Sequence, residues 1–118
     1  MALERRISPR IQTYLPVRVH QLGTVQVVET LTKNLSSAGF RCLSPTLYPV
    51  STQLRVQLIL GSGSETLDLV GRLVWFHMIP QSEQFDLGVT FVENSEHNKR
   101  RLSAYIDLLL EKFTSRPA

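Results

Sequence analysis

The chain has 118 residues, of which 42% are hydrophobic and 19% are charged, and its formal net charge is +3. This length allows one domain with a substantial core, and the composition is that of a globular protein. No stretch approaches the roughly 20 apolar residues that a membrane-spanning helix needs, and the first 15 residues have no apolar signal region, so we expect a cytoplasmic protein without membrane insertion.

A polar arm, residues 1–12, precedes the first strand pattern. It contains Arg5, Arg6 and Arg10, and Pro9 disfavours a helix through the middle of this run. Arginine side chains suit planar, bidentate contacts with phosphate groups or base edges. A basic terminus of this kind is more often simply solvated, so by itself the arm predicts flexibility and no particular ligand.

Beyond the arm, apolar and polar residues alternate with period two, which is the pattern of half-buried β-strands. The first three strands are predicted at residues 14–20, 24–32 and 39–43. In the first, Leu15, Val17 and Val19 share the inner face. The polar residues 33–38 are predicted to separate the second strand from the third.

Three further strands follow, and their inward-facing residues recur at every second position. In the fourth strand these residues are Leu54, Val56, Leu58 and Leu60. In the fifth they are Leu67, Leu69, Gly71, Leu73 and Trp75, which predicts a core position for the tryptophan. In the sixth they are Phe85, Leu87, Val89 and Phe91. Six antiparallel strands of this length usually close into a barrel, because closure removes exposed edges.

The apolar period changes after Asn94 to spacings of three and four, which predicts a helix over about residues 95–113. Asn94 or Ser95 can serve as its N-cap. The apolar stripe of this helix consists of Leu102, Tyr105, Ile106, Leu109, Leu110 and Phe113. We expect this stripe to pack on the barrel. The alternative is that the helix pairs with a partner. The predicted fold is therefore mainly β, a six-stranded antiparallel (split) β-barrel with a C-terminal α-helix, over residues 13–113.

The residues with reactive or metal-binding side chains form no catalytic pattern. Cys42 lies in a strand-like run, which predicts a buried, inert thiol. His20, His77 and His97 lack the spacing of metal ligands, so no metal is expected. We find no nucleophile-base set and no glycine-rich phosphate loop, and we therefore expect neither an enzyme nor a cofactor.

The segment between the second and third strands offers a compact group of polar side chains, in Asn34 and Ser36, followed by Gly39. The glycine can adopt a positive φ or admit a ligand close to the backbone. Taken alone, this segment is an ordinary turn.

Together, Arg6-x-x-x-Arg10 and Asn34-x-Ser36-x-x-Gly39 resemble, in type, order and position, the two-part signature of the PilZ family. The resemblance extends over about residues 4–113 and includes the closing strands, residues 71–75 and 85–91.

The resemblance implies a receptor for cyclic di-GMP. It implies that Arg6 and Arg10 bind guanine and phosphate, that Asn34 and Ser36 hydrogen-bond the base or sugar edge, and that Gly39 leaves room for the ligand. A guanidinium fork does match the O6 and N7 acceptors of guanine and the oxygens of phosphate. Many members have aspartate where this chain has Asn34, so one negative acceptor is absent here.

Arg5, directly before the arginine pair, resembles members that take up a stacked pair of ligand molecules. We expect the arm to become ordered when ligand binds and the signal to pass to an unidentified downstream protein.

Two alternatives stay open, a PilZ-like interaction module that binds no nucleotide and, less expected, a small barrel that binds RNA or single-stranded DNA. The latter requires aromatic and basic residues interleaved on one face, whereas most aromatics here are predicted to point inward. Nucleic acid is not an expected partner, and the chain is a monomer or a homodimer.

Overall fold

The computed structural model describes residues 13–61 and 65–114, and in these ranges six strands precede one helix. The elements are β1 (Pro16–Gln21), β2 (Val28–Leu35), β3 (Gly39–Ser44), β4 (Gln53–Leu60), β5 (Glu65–Met78), β6 (Phe85–Phe91) and α1 (Glu96–Thr114). All neighbouring strands pair antiparallel in the order β1-β2-β3-β6-β5-β4, and β4 pairs with β1 to close a barrel. The predicted six-stranded antiparallel barrel with a C-terminal helix is confirmed.

The barrel interior is filled by alternate residues of its strands, as the period-two pattern predicts. In β4, Leu54, Val56 and Leu58 are fully buried, whereas Arg55 between them is exposed. Each such leucine stabilises the fold by about 1.5–3 kcal/mol through burial alone. Tyr48, in the connection from β3 to β4, is also part of this core.

Strand β2 differs from its predicted range at both ends. It begins at Val28, because residues 24–27, which follow the turn at Gly23 (φ +88°), take no part in the β1–β2 ladder, and Val25 among them is 97% exposed. It then continues to Leu35, after a bulge between Thr32 and Asn34. The predicted connecting segment, residues 33–38, is therefore shorter than expected, and Asn34 is a strand residue rather than a turn residue.

The predicted core position of Trp75 is wrong, because its side chain is 43% exposed. The pairing of β5 with β6 slips by one residue, so that Leu73 pairs with Val89 but Trp75 pairs with Gly88. The extra residue, Val74, forms a β-bulge, and a one-residue bulge moves later side chains to the opposite face. Leu73 consequently points into the core and Trp75 points out.

The C-terminal helix packs on the barrel, as predicted. Its residues Leu102 and Ile106 are buried in the barrel core. Of the two N-cap candidates, Ser95 has this role, since its Oγ accepts the N–H of Asn98 at 3.1 Å. The side chain of Phe113 lies outside the described residues. Within the described ranges, no helix has enough length and apolar sequence to cross a membrane.

Candidate functional site

The turn between β2 and β3 is held together by Ser36, whose side chain is 1% exposed. Its backbone N–H donates to the carbonyl of Gly39 at 2.9 Å, and its Oγ accepts the N–H of Ala38 at 3.1 Å. The hydroxyl is therefore already engaged inside the turn. Of the three turn residues that the sequence singled out, Ser36 is the one that shapes the backbone.

Gly39 is required for the close approach of two strands. It pairs with Thr90 of β6, and a Cβ atom at this position would overlap the carbonyl oxygen of Val89. Its φ is not positive, so the left-handed conformation that the sequence allowed is not the reason for glycine here. Without a side chain at Gly39, β3 lies against β6 and the turn stays close to the outer surface of the barrel.

A groove of about 380 Å³ runs beside this turn across the outer face of β2, β3, β6 and β5. It is lined by Asn34, Ala38, Gly39, Phe40, Arg41, Val74, Trp75, Gly88, Val89 and Thr90. Its floor contains a continuous cross-strand row, because Asn34 pairs with Arg41, Arg41 with Gly88, and Gly88 with Trp75. The fold thus brings Asn34 and Gly39 together in one groove, and Ser36 holds the turn at its end.

Trp75 covers Gly88, and sequence reasoning missed this residue as part of the site. A Cβ atom on Gly88 would overlap the Nε1 and Cε2 atoms of the indole, so the ring lies directly over the glycine. The groove gains an aromatic surface because Gly88 has no side chain. The bulge at Val74 that turns Trp75 outward has no signal in the period-two pattern, which placed the tryptophan with Leu73.

Arg41 is the second groove residue that sequence reasoning missed. Its Nε lies 2.9 Å from both carboxylate oxygens of Asp86, and its Nη2 also donates to Asp86. The Asp86 side chain is 10% exposed and that of Arg41 is 38% exposed, so a nearly buried carboxylate holds an arginine that lines the groove. Hydrogen bonding to Asp86 raises the pKa of Arg41. The alternation of β3 places Arg41 outside the core, but its partner is not readable from the sequence.

The first described residues of the chain join the barrel beside the same turn. Thr32 is completely buried in β2, where its Oγ1 donates to the carbonyl of Thr13 at 2.6 Å and accepts the N–H of Leu15 at 3.0 Å. Thr32 precedes Asn34 by two residues, which is about 7 Å along a strand. The predicted ligand-binding arginines of the arm, Arg5, Arg6 and Arg10, lie outside the described residues.

The remaining sequence candidates do not add to this groove. Cys42 is a buried free thiol on the inner face of β3, as predicted. Over the described ranges, His20, His77 and His97 belong to no cluster of side chains that could hold a metal ion. Tyr14 and Phe76 are exposed, as the alternation predicts, so Trp75 is the aromatic residue of these three whose predicted face is wrong.

Comparison with known proteins places this groove in a recognised fold. The PilZ domain family matches residues 4–108. The structure is similar to the inhibitor of motility MotI/DgrA of Bacillus subtilis, with a TM-score of 0.77 and 18% identity over 97% of this chain and 54% of that one. It is similar to YcgR of Escherichia coli in complex with c-di-GMP, with a TM-score of 0.77 and 16% identity over 94% of this chain and 48% of that one.

A third similar structure is a tetrameric PilZ domain protein of Xanthomonas campestris, with a TM-score of 0.74 and 13% identity over 94% of this chain and 91% of that one. The chain spans about half the length of MotI/DgrA and of YcgR. No curated protein sequence matches the chain. At these identities the structural likeness concerns the fold.

Proposed function

The chain belongs to the PilZ domain family, and we propose that it is a receptor that binds cyclic di-GMP in the groove beside the β2–β3 turn. Similarity to YcgR, which has been solved in complex with c-di-GMP, supports this ligand class. The observation that carries the proposal is the hydrogen bond from Thr32 to the carbonyl of Thr13, because Thr13 directly follows the arginine-bearing arm in the chain and Thr32 lies two residues before Asn34.

The length of the chain between the arm arginines and the anchored residue supports their convergence on the groove. Arg10 precedes Thr13 by three residues, and a fully extended chain spans about 3.5 Å per residue, so the length of chain between them limits the separation of their Cα atoms to about 10 Å. Arg6 is four residues further away and has correspondingly greater reach. Both side chains are therefore able to approach the same turn from one direction.

The chemistry of the converging residues suits an anionic guanine dinucleotide. Arg6 and Arg10 supply charge-assisted donors for phosphate and for the O6 and N7 atoms of guanine, with Arg5 as a further cation. Asn34 supplies an amide to the base or sugar edge. The buried hydroxyl of Ser36 supports a role in holding the turn in its binding shape.

Binding in this arrangement also suggests how a signal leaves the domain. We infer that the arm closes over the groove when the dinucleotide bridges it to the turn, and that the ordered arm creates a new surface for a downstream protein. Ordering of a segment by a small ligand is an established form of switch.

Calorimetric titration with cyclic di-GMP tests the proposal. Arg6→Ala and Arg10→Ala are each expected to weaken binding by roughly tenfold to a hundredfold, because a hydrogen bond to a charged group contributes about 1.5–3 kcal/mol. Arg55→Ala, an exposed arginine of β4 that does not line the groove, is the matched control and should leave the affinity unchanged. If the intact protein takes up no cyclic di-GMP, the proposal is refuted, and the result favours the alternative of an interaction module that binds no nucleotide.

A further inference from the structure

The groove contains an arginine whose guanidinium is held in place without any ligand. Asp86 accepts from Nε and Nη2 of Arg41, and its carboxylate is nearly buried, so the pair restricts the rotamers of the arginine side chain. An arginine on an exposed surface loses about 2 kcal/mol of rotamer freedom when a ligand immobilises it. Since Arg41 is already fixed, binding of a ligand to its remaining donors avoids most of that cost.

The donors that Asp86 leaves unused have a defined geometry. A guanidinium carries five N–H donors, and side-on pairing through Nε and Nη2 leaves both hydrogens of Nη1 and one of Nη2 at the far end. This end-on fork matches the O6 and N7 acceptors of guanine. Adenine has an amino group in place of O6, so the same fork would face a donor there.

Trp75 adds an aromatic surface near Arg41, because both residues are neighbours of Gly88 in the sheet. Arg41 and Trp75 both pair with Gly88, from β3 and β5 respectively, and two strand spacings place their Cα atoms about 10 Å apart. The indole lies over Gly88 and is partly exposed to the groove. A flat ring and a fixed donor fork therefore border one part of the groove, which is the arrangement that a purine base requires.

We propose that Arg41, Asp86 and Trp75 form a guanine-selective subsite, in which one base of the ligand stacks on the indole and presents its O6 and N7 atoms to Arg41. Asp86 is a positioning residue, which acts on the ligand through Arg41. This inference rests on the proposed binding of cyclic di-GMP and adds the residues that distinguish guanine from adenine.

Titrations of wild type and Arg41→Gln with cyclic di-GMP and with cyclic di-AMP test the subsite. In wild type we expect clear preference for the guanine ligand, and in the variant the ratio of the two affinities should fall by roughly 5- to 150-fold, the discrimination that one bidentate base contact provides. Arg55→Gln removes the same charge from a position outside the groove and should leave the ratio unchanged. Arg41→Lys keeps the charge but lacks the fork, and it should lose selectivity as Arg41→Gln does.

A double-mutant cycle tests the positioning role of Asp86. Removing a negative charge near an anionic ligand should by itself strengthen binding, so weaker and less selective binding by Asp86→Asn reports lost orientation of Arg41. In the Arg41→Gln background, Asp86→Asn should then have no further effect on selectivity, whereas a purely structural role gives the same loss in both backgrounds. Trp75→Leu should weaken both ligands alike, because stacking does not read the base edge.

The titrations distinguish failure of the proposed cyclic di-GMP binding from failure of the Arg41 subsite. If wild type binds neither dinucleotide, the proposed function fails and the subsite with it. If wild type binds cyclic di-GMP and Arg6→Ala weakens it, but Arg41→Gln and Arg41→Lys keep wild-type affinity and selectivity, the subsite alone is refuted. Circular dichroism of each variant verifies folding, and Arg41→Lys decides the case if Arg41→Gln does not fold.

Discussion

Burial determines the chemistry of individual side chains on the inner and outer faces of β3. Cys42 is 1% exposed, and burial raises the pKa of its thiol to about 12, with the charge of Asp86 acting in the same direction. Arg41, its neighbour on the outer face, is a permanent cation whose guanidinium is held in place by hydrogen bonds to Asp86. Alternation along one strand thus gives an inert thiol inside and a fixed cation outside.

The Cys42 thiol should make the protein less stable in alkali. The folded state retains its proton up to a pH of about 12, whereas the unfolded chain releases it near the ordinary value of 9.0, so the stability is complete below pH 9 and is lost as the pH rises towards 12. The free energy of unfolding should fall by about 1.4 kcal/mol per pH unit in this window from this group. Urea unfolding at several alkaline pH values measures how steeply the free energy of unfolding falls with pH. The fall should be shallower in Cys42→Ala, and equal slopes would contradict a raised pKa of Cys42.

Gly88→Ala should displace the indole of Trp75 from the groove floor. The added methyl group would occupy the position of the ring, so the side chain has to swing towards solvent. Trp75 is the only tryptophan, and its fluorescence emission should therefore move to longer wavelength and become more accessible to acrylamide. Thr66→Ala, at an exposed position of the same strand, serves as control and should leave the spectrum unchanged.

At the scale of elements, single polar side chains join the parts of the fold where strand pairing ends. Asn94, just before α1, accepts the N–H of Val70 in β5 at 2.8 Å and donates to its carbonyl at 3.1 Å. The side-chain amide of Asn94 therefore makes the two hydrogen bonds to Val70 that the backbone of a neighbouring strand would otherwise make, while Ser95 caps the helix. This division of roles explains why both residues looked like caps in the sequence.

Asn94→Ala should destabilise the fold more than removal of the helix cap. The substitution leaves polar backbone groups of Val70 without their side-chain partner in a partly buried place, which costs about 1–3 kcal/mol for an unsatisfied group. Ser95→Ala should cost about 1 kcal/mol, the usual effect of losing an N-cap. Denaturant unfolding of both variants measures the two losses of unfolding free energy. A larger loss in Ser95→Ala would contradict the proposed importance of the hydrogen bonds between Asn94 and Val70.

At the scale of the whole molecule, the arm, the turn and the groove depend on where β2 lies in the barrel. Thr32 anchors Thr13, the residue that follows the arm, Asn34 lies in the groove, and Ser36, just after β2, holds the turn, so three alternate residues of one short segment have three roles. Displacement of β2 would therefore alter the entry of the arm and the shape of the groove together.

Thr32→Val should weaken ligand binding although Thr32 does not line the groove. The substitution keeps the shape of the side chain but removes the hydrogen bonds to Thr13 and Leu15, which releases the chain that carries the arm arginines. We expect severalfold weaker binding of cyclic di-GMP and a loss of about 1–3 kcal/mol in the free energy of unfolding. Thr30→Val on the same strand is the control, and equal affinities of the two folded variants would argue against the anchor.

The sequence by itself determined the core-facing residues wherever a strand is regular, because side-chain alternation is a local property of an extended chain. It therefore predicted the buried leucines of β4, the closed barrel and the packed C-terminal helix, and its motifs predicted Asn34 and Gly39 at one site. It also predicted the arm arginines as ligands, and that role stays a prediction.

Only the tertiary structure decided the composition of the groove. The bulge at Val74 reverses the face of Trp75, and the pair of Arg41 with Asp86 joins residues that are 45 positions apart. Strand register brings such residues together, and register depends on the pairing of whole strands rather than on the residues nearby in the chain. The local pattern therefore located the turn of the proposed site, while the contacts between distant strands supplied the ring and the cation beside it.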